Sequence, residues 1–255
     1  VNSEVELVRL NKLMADRGLC SRREADKFIE AGQVLVNGEE VAQVGQKVSP
    51  TIQLEIQQAA QDRLNERFVV VMNKPVGVVS NLPEPGQQAA SDLVLRESFV
   101  GRNSPKEIDN VMKYRSQLAV AGRLDRASRG LLVLSNDGRV IREITQSTWC
   151  KKTYLVTLHQ QVESIQIKRL KEKRKLGRWE LLPMQVEEIA PRKLKFVLQE
   201  GKKHQIRDCC RSVGLSVRDL FRTQIGPIEL KDLRKGEWRL LNHSEIQELL
   251  PRKGS

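Results

Sequence analysis

The sequence predicts an α+β chain in two parts: a small unit of two helices and a hairpin, then a larger strand-rich unit. Three observations carry this. Between residues 8 and 38, two short helix signatures precede one hairpin signature. From Phe68 onward, short apolar runs bounded by turn residues follow one another without regular helical crossovers. The length of 255 residues, 39% hydrophobic and 30% charged, suffices for one large core or two smaller ones.

In the stretch VRLNKLMADRGLCSRREADKFIEAGQVLVNG, Leu10, Leu13 and Met14 recur at helical spacing, and Gly18 stands where a helix would end. Ser21 and Glu24 form a capping-box pattern, in which the serine caps the helix start and the glutamate reaches back. Ala25, Phe28 and Ile29 then fall on one face of a second helix. Val34 and Val36 alternate with polar neighbours, and Asn37-Gly38 is a strong hairpin signal. Arg9, Lys12, Arg22, Arg23 and Lys27 are left outside this small core. Ile52, Leu54 and Ile56 alternate as a closing strand. Residues 57–67 have neither a sustained apolar period nor Gly/Pro turns and read as a linker, so the expected domains are 7–56 and 68–255.

The stretch FVVVMNKPVGVVSN reads as a strand, a turn around Asn73-Lys74-Pro75 and a second strand. Residues 81–90 and 101–116 are expected as loops, the latter a polar surface insertion. Leu131 to Leu134 is an apolar run between Gly130 and the turn Asn136-Asp137-Gly138, as in a buried strand. Residues 139–146 follow as a helix with Val140, Ile141 and Ile144 inward. Strands are expected at 151–158, 184–190 and 194–200, and a helix from about His204 to Val213 ended by Gly214. Residues 168–178, KRLKEKRKLGR, form the densest basic run.

The net charge is +12, from 44 Lys and Arg against 32 Asp and Glu. Such an excess favours a polyanionic partner, because cations that neutralise phosphates release counterions. No apolar stretch approaches the roughly 20 residues of a spanning helix, and no basic-then-apolar leader is evident, so no membrane association is expected. Cys20, Cys150, Cys209 and Cys210 lack zinc-site spacing and His159, His204 and His243 are scattered, so the cysteines read as reduced thiols and no metal is expected. A cytoplasmic location follows, or an organellar one if a targeting segment once preceded Val1.

The most informative stretch is Ala121 to Gly138, AGRLDRASRGLLVLSNDG. It places one carboxylate, Asp125, in a loop ahead of a buried strand, where rigid scaffolds present reactive groups. From spacing alone, a lone Asp between Arg123 and Arg126 is more often a surface ion pair. The residues themselves closely resemble the central motif of the pseudouridine synthases of the family that modifies bacterial-type ribosomal RNA: Gly-Arg-Leu-Asp, then Gly-Leu-Leu, an apolar stretch, and Ser/Thr-Asn/Asp-Asp-Gly. Further segments resemble the family in its order: Asn73-Lys74-Pro75 with Gly77, Lys152-Thr153-Tyr154, Gln205-Ile206-Arg207, and Leu220 with Arg222. The SRREAD and VLVNG segments resemble the RNA-binding domain first known from the fourth protein of the small ribosomal subunit.

The resemblance implies an α+β catalytic domain with a mixed, largely antiparallel sheet, and isomerisation of uridine to pseudouridine without cofactor. It gives Asp125 the role of catalytic carboxylate, Arg207 that of its bidentate counterion, and Tyr154 that of a platform beneath the base. Leu220 would wall the uracil pocket, and Arg123 would fill the space the base left or bind phosphate. Arg9, Lys12, Arg22, Arg23, Lys27 and Lys74 would contact RNA. The implied partner is ribosomal RNA, with the large subunit favoured, and the chain is expected to act as a monomer. A tRNA-directed synthase and a catalytically silent RNA-binding protein are the alternatives. The second is motivated by Asp208-Cys209-Cys210, where the family usually has a further arginine and an apolar residue.

Overall fold

The computed structural model describes residues 6–40 and 43–250. Residues 41–42 and 251–255, parts of the expected domains 7–56 and 68–255, lie outside the described residues. The described residues cluster into two compact units: those up to Phe68 with the turn Asn136–Arg139, and Val69–Ser135 with residues 140–250.

The first unit runs β1 (Val8–Arg9), α1 (Leu10–Asp16), α2 (Arg22–Glu30), β2 (Val34–Val36), β3 (Glu39–Glu40), β4 (Lys47–Val48), β5 (Leu54–Ile56) and α3 (Gln58–Asn65). Leu10, Leu13 and Met14 of α1 meet Ala25, Phe28 and Ile29 of α2 in one buried cluster. The capping box forms as expected: Glu24 N donates to Ser21 Oγ at 3.3 Å, and Ser21 N donates to Glu24 Oε2 at 2.8 Å. Asn37 and Gly38 both adopt positive φ, 51° and 84°, the requirement of a type I′ hairpin turn between β2 and β3. Strand β5 pairs antiparallel with β2 on its other side.

The segment expected as a linker is instead mostly the helix α3, which buries Ala60 and lays Leu64 against the same cluster. Two apolar residues one turn apart give too narrow a stripe to register as periodicity, while the intervening Gln61, Asp62 and Arg63 tolerate a helix. The Asn136–Arg139 turn belongs to this unit through polar contacts. Asn136 Oδ1 accepts from Phe68 N at 2.9 Å, and Arg67 pairs with Glu24 at 2.9 Å. Burial would push the Asp137 carboxyl up, but hydrogen bonds and charge from Arg139 and the charge of Arg67 hold it below the usual range.

The second unit runs β6 (Val69–Lys74), α4 (Pro105–Tyr114), β7 (Ala119–Ala121), β8 (Arg129–Ser135), α5 (Gly138–Gln146), β9 (Lys152–Leu158), α6 (Ser164–Glu172), β10 (Lys175–Leu176), β11 (Trp179–Glu180), β12 (Gln185–Ala190), β13 (Lys193–Leu198), α7 (Gln205–Ser212), β14 (Val217–Ile225), β15 (Ile228–Glu229), β16 (Trp238–Leu240) and α8 (His243–Leu249). Its main sheet has the order β12-β13-β9-β14-β8-β6-β16, with β15 on β14 and β7 on β8. Only β14 and β8 run parallel within it, so the sheet is mixed and largely antiparallel. Strand β9 alternates cleanly, with Lys152, Tyr154, Val156 and Leu158 buried and the residues between them half-exposed.

Two expectations fail here. The second strand after the Asn-Lys-Pro turn is reduced to one isolated bridge, Val79 to Ala89. That segment turns at Gly77, whose φ is +92°, and Gly77 N donates to Arg126 O in the Asp125 loop while Val79 bonds to residues 88 and 90. Residues expected as a polar insertion contain α4, started by Ser104 with Glu107 in a capping box and Pro105 in the first turn. Among the described residues no helix is long and apolar enough to cross a membrane.

Candidate active site

Asp125 sits half-exposed in the turn between β7 and β8, closed by Ser128 N donating to Asp125 O at 3.0 Å. The turn is braced from below by Arg222, which is 1% exposed. Its Nε donates to Leu131 O at 2.8 Å, Nη1 to Arg123 O at 3.3 Å and Nη2 to Gly122 O at 2.7 Å. Burying a guanidinium demands such partners, and these three carbonyls include two in the Gly-Arg-Leu-Asp segment itself. Gly130 lets β8 come this close: a Cβ there would lie 2.2 Å from the Arg222 carbonyl oxygen, and its φ is +107°.

A second brace comes from the segment after β6. Ser80 Oγ donates to Leu124 O at 2.6 Å and accepts from Leu124 N at 2.9 Å. Gly77 N donates to Arg126 O at 2.8 Å, and Arg126 Nε donates to Gly77 O at 3.0 Å. The Asn-Lys-Pro segment therefore holds the residues on either side of Asp125.

Above the turn lies a cleft of about 450 Å³ whose lining includes Arg123, Asp125, Lys152, Tyr154, Leu220, Arg222 and the turn 201–206. Tyr154 and Leu220 are both nearly buried on strands β9 and β14, and the Tyr154 hydroxyl is 3.5 Å from Arg222 Nη1. His204, in the left-handed conformation with φ 56° at the start of α7, brings its Nε2 within 3.5 Å of Asp125 Oδ1. The site is thus strongly cationic beneath and around one carboxylate. Burial, aided by the charge of Arg222 and opposed by that of Asp125, lowers Lys74 to about 8. Burial also lowers Lys152, again with help from Arg222.

Asp125, Arg123, Tyr154 and Leu220, expected at one site, do line one cleft. Two expectations are corrected. Lys74 is fully buried, its Nζ donating to Pro75 O at 2.8 Å and Val78 O at 2.7 Å, so it does not present a contact to RNA. Arg207 does not pair with Asp125: its Nη2 donates to Ala127 O at 2.9 Å and its Nη1 to Val217 O at 3.3 Å. Asp208 turns away and pairs with Arg211 at 2.8 Å, while Cys209 and Cys210 are wholly buried, their thiols pushed up to about 11 and about 12 by burial. The four cysteines are free. Arg9, Lys12, Arg22, Arg23 and Lys27 are exposed in the first unit, and none forms an ion pair among the described residues.

Residues whose part the sequence did not disclose are Arg222, Lys152, Ser80 and His204. For two of them a signal exists: Lys152 and Arg222 are charges at inward positions of alternating strands, where an apolar residue is the rule.

Comparison with known proteins agrees with this geometry. Residues 68–212, more than half of the chain, match the family model described as RNA pseudouridylate synthase, and residues 8–51 match the S4 domain. The dual-specificity RNA pseudouridine synthase RluF of Escherichia coli is 32% identical over 245 residues, covering 95% of this chain and 78% of the relative. An uncharacterized RNA pseudouridine synthase of Aquifex aeolicus is 30% identical over 254 residues, covering 97% of this chain and 95% of the relative. A crystal structure of a pseudouridylate synthase is similar with a TM-score of 0.63 at 27% identity, covering 95% of this chain and 99% of that one. The chain therefore belongs to the RNA pseudouridylate synthase family, as an isomerase whose synthase fold follows an N-terminal S4 domain.

Proposed function

We propose that the protein isomerises specific uridines to pseudouridine in ribosomal RNA, of the large subunit in the first instance, with Asp125 as its catalytic carboxylate and no cofactor. The observation that carries this is the placement of Asp125, as the one carboxylate, at the wall of a cleft whose lining also includes the cations Arg123, Lys152 and Arg222, the ring of Tyr154 and apolar side chains such as Leu220. The bond from the ribose anomeric carbon to ring nitrogen N1 breaks, the uracil turns in place, and a bond to ring carbon C5 forms as the C5 proton leaves and N1 takes up a proton. Nothing is oxidised or phosphorylated.

An ionised carboxylate can start this either as a nucleophile at the anomeric carbon or by taking the adjacent ribose proton. Both routes need charge on Asp125 beneath a base that excludes water. Tyr154 offers its ring to the flipped uracil. Stacking of about 1–3 kcal/mol offsets part of the few kcal/mol that extrusion from the RNA requires. Leu220 closes the pocket wall and Arg123 takes the vacated space or a phosphate. Arg207 is a positioning residue, acting through the Ala127 carbonyl two residues beyond Asp125.

The test is tritium release from RNA labelled at uracil C5, with purified protein and separate large-subunit, small-subunit and tRNA transcripts. Release from the large-subunit transcript supports the proposal. Release from tRNA alone assigns the other substrate class, and release from none contradicts the proposal.

A further inference from the structure

The chain has three tryptophans, and two of their indole N–H groups are satisfied within the protein. Trp238 is buried and donates to Leu95 O at 2.7 Å; Trp149 donates to Glu143 Oε1 at 2.6 Å. Trp179 is 40% exposed, and its indole N–H has no acceptor among the described residues. It lies on the hairpin β10–β11, where Leu176 pairs with Trp179 across a turn at Gly177.

Two strands of two residues do not hold themselves in water. This hairpin is held by its base: Leu181 is buried and its N donates to Arg174 O at 2.8 Å, and Leu182 N donates to Glu200 Oε1 at 2.9 Å. Glu200 also pairs with Lys202 at 3.2 Å, and Lys202 lines the cleft that holds Asp125. The anchored hairpin thus keeps Trp179 at the lip of the cleft, with Lys202 Nζ 5.6 Å from its ring centroid and the Arg178 guanidinium 4.8 Å from it. The run 168–178 that leads into it carries seven Lys or Arg and one Glu, and none of these forms an ion pair among the described residues.

A half-exposed indole between Arg178, which has no ion pair among the described residues, and Lys202, whose one acidic partner is Glu200, beside a catalytic cleft, is matched by a nucleotide: a base has a π-face for the ring, and its phosphates take the cations. We propose that Trp179 is a stacking platform for an unpaired base flanking the target uridine, with Arg178 and Lys202 engaging the adjoining phosphates. This rests on the reading of the protein as an RNA-modifying enzyme and deepens it by naming where single-stranded RNA leaves the cleft.

The test measures binding of a fluorescein-labelled, mixed-sequence single-stranded RNA at several salt concentrations, and tritium release at saturating RNA, for wild type, Trp179→Ala, Trp179→Phe and Arg178→Ala. Trp179→Ala should weaken binding about 5- to 150-fold without changing the salt slope. Trp179→Phe should recover much of the loss. Arg178→Ala should instead flatten the salt slope by roughly 0.7. Intrinsic fluorescence of Trp149→Phe protein should be quenched by RNA, and the quenching should vanish when Trp179→Ala is added. Equal affinity of Trp179→Ala and wild type, or a loss that Trp179→Phe does not relieve, overturns the platform while leaving the RNA-modifying reading intact. Wild-type protein that neither binds RNA nor releases tritium overturns both.

Discussion

Arg222 Nη2 donates to the carbonyl oxygen of Gly122 at 2.7 Å, and the same guanidinium also holds the carbonyls of Arg123 and Leu131. A strand residue remote in sequence therefore sets the backbone path into Asp125. Arg222→Met keeps the volume and removes every donor, leaving buried carbonyls unpaired. It should lower stability by about 3–5 kcal/mol in denaturant titration. At temperatures where the variant is still folded, its turnover should fall as well, because the Asp125 turn loses its support. A fully active variant of unchanged stability would remove Arg222 from the account.

Lys74 supplies a pH signature. Its lowered value, about 8 against 10.5 for an ordinary lysine, means that between these pH values the unfolded chain binds more protons than the folded one. Stability then rises with pH across that window; the penalty of burying the ammonium is fully present below pH 8 and relieved above it. Comparing wild type with Lys74→Met isolates this group. The stability difference between them should shift in favour of wild type by on the order of 1 kcal/mol from pH 7.5 to pH 10. A pH-independent difference would mean that Lys74 is not strained by burial.

Arg22, Arg23 and Lys27 are exposed on α2 and unpaired by acids among the described residues. Replacing all three by alanine should flatten the dependence of log affinity for RNA on log salt by roughly 0.7–0.9 per lost phosphate contact. The single-turnover rate at saturating RNA should stay at the wild-type value, since Asp125, Tyr154 and Arg222 lie in the other unit. A lost saturated rate with an unchanged salt slope would reverse this division of labour.

The elements legible in the sequence were those whose signal is local. The capping box at Ser21, the Asn37-Gly38 turn and the alternation of β9 each fix a conformation through near neighbours, and each formed. Helices α3 and α4 are faint in the sequence because each buries only a narrow apolar stripe, although the Ser104-Glu107 box of α4 is a local start signal. The cleft was partly legible, since Asp125, Arg123, Tyr154 and Leu220 sit in recognisable motifs. Arg207 and Lys74 were misplaced for one reason: nothing local tells which of several motif cations is turned outward and which is buried to support a backbone turn. Arg222 and Lys152 took the buried positions near Asp125 because strand alternation aims them there, a long-range consequence of the β8–β14–β9 order.

The central claim is that one carboxylate carries the chemistry. Asp125→Asn preserves shape and removes the charge, and the half-exposed side chain makes folding of the variant insensitive to the change. The deciding measurement is single-turnover pseudouridine formation by Asp125→Asn at saturating RNA, alongside its RNA affinity. The account predicts wild-type binding and a rate below one-hundredth of wild type, on the order of the loss when a catalytic acid–base group is removed. Retention of about a tenth or more of the wild-type rate would contradict it.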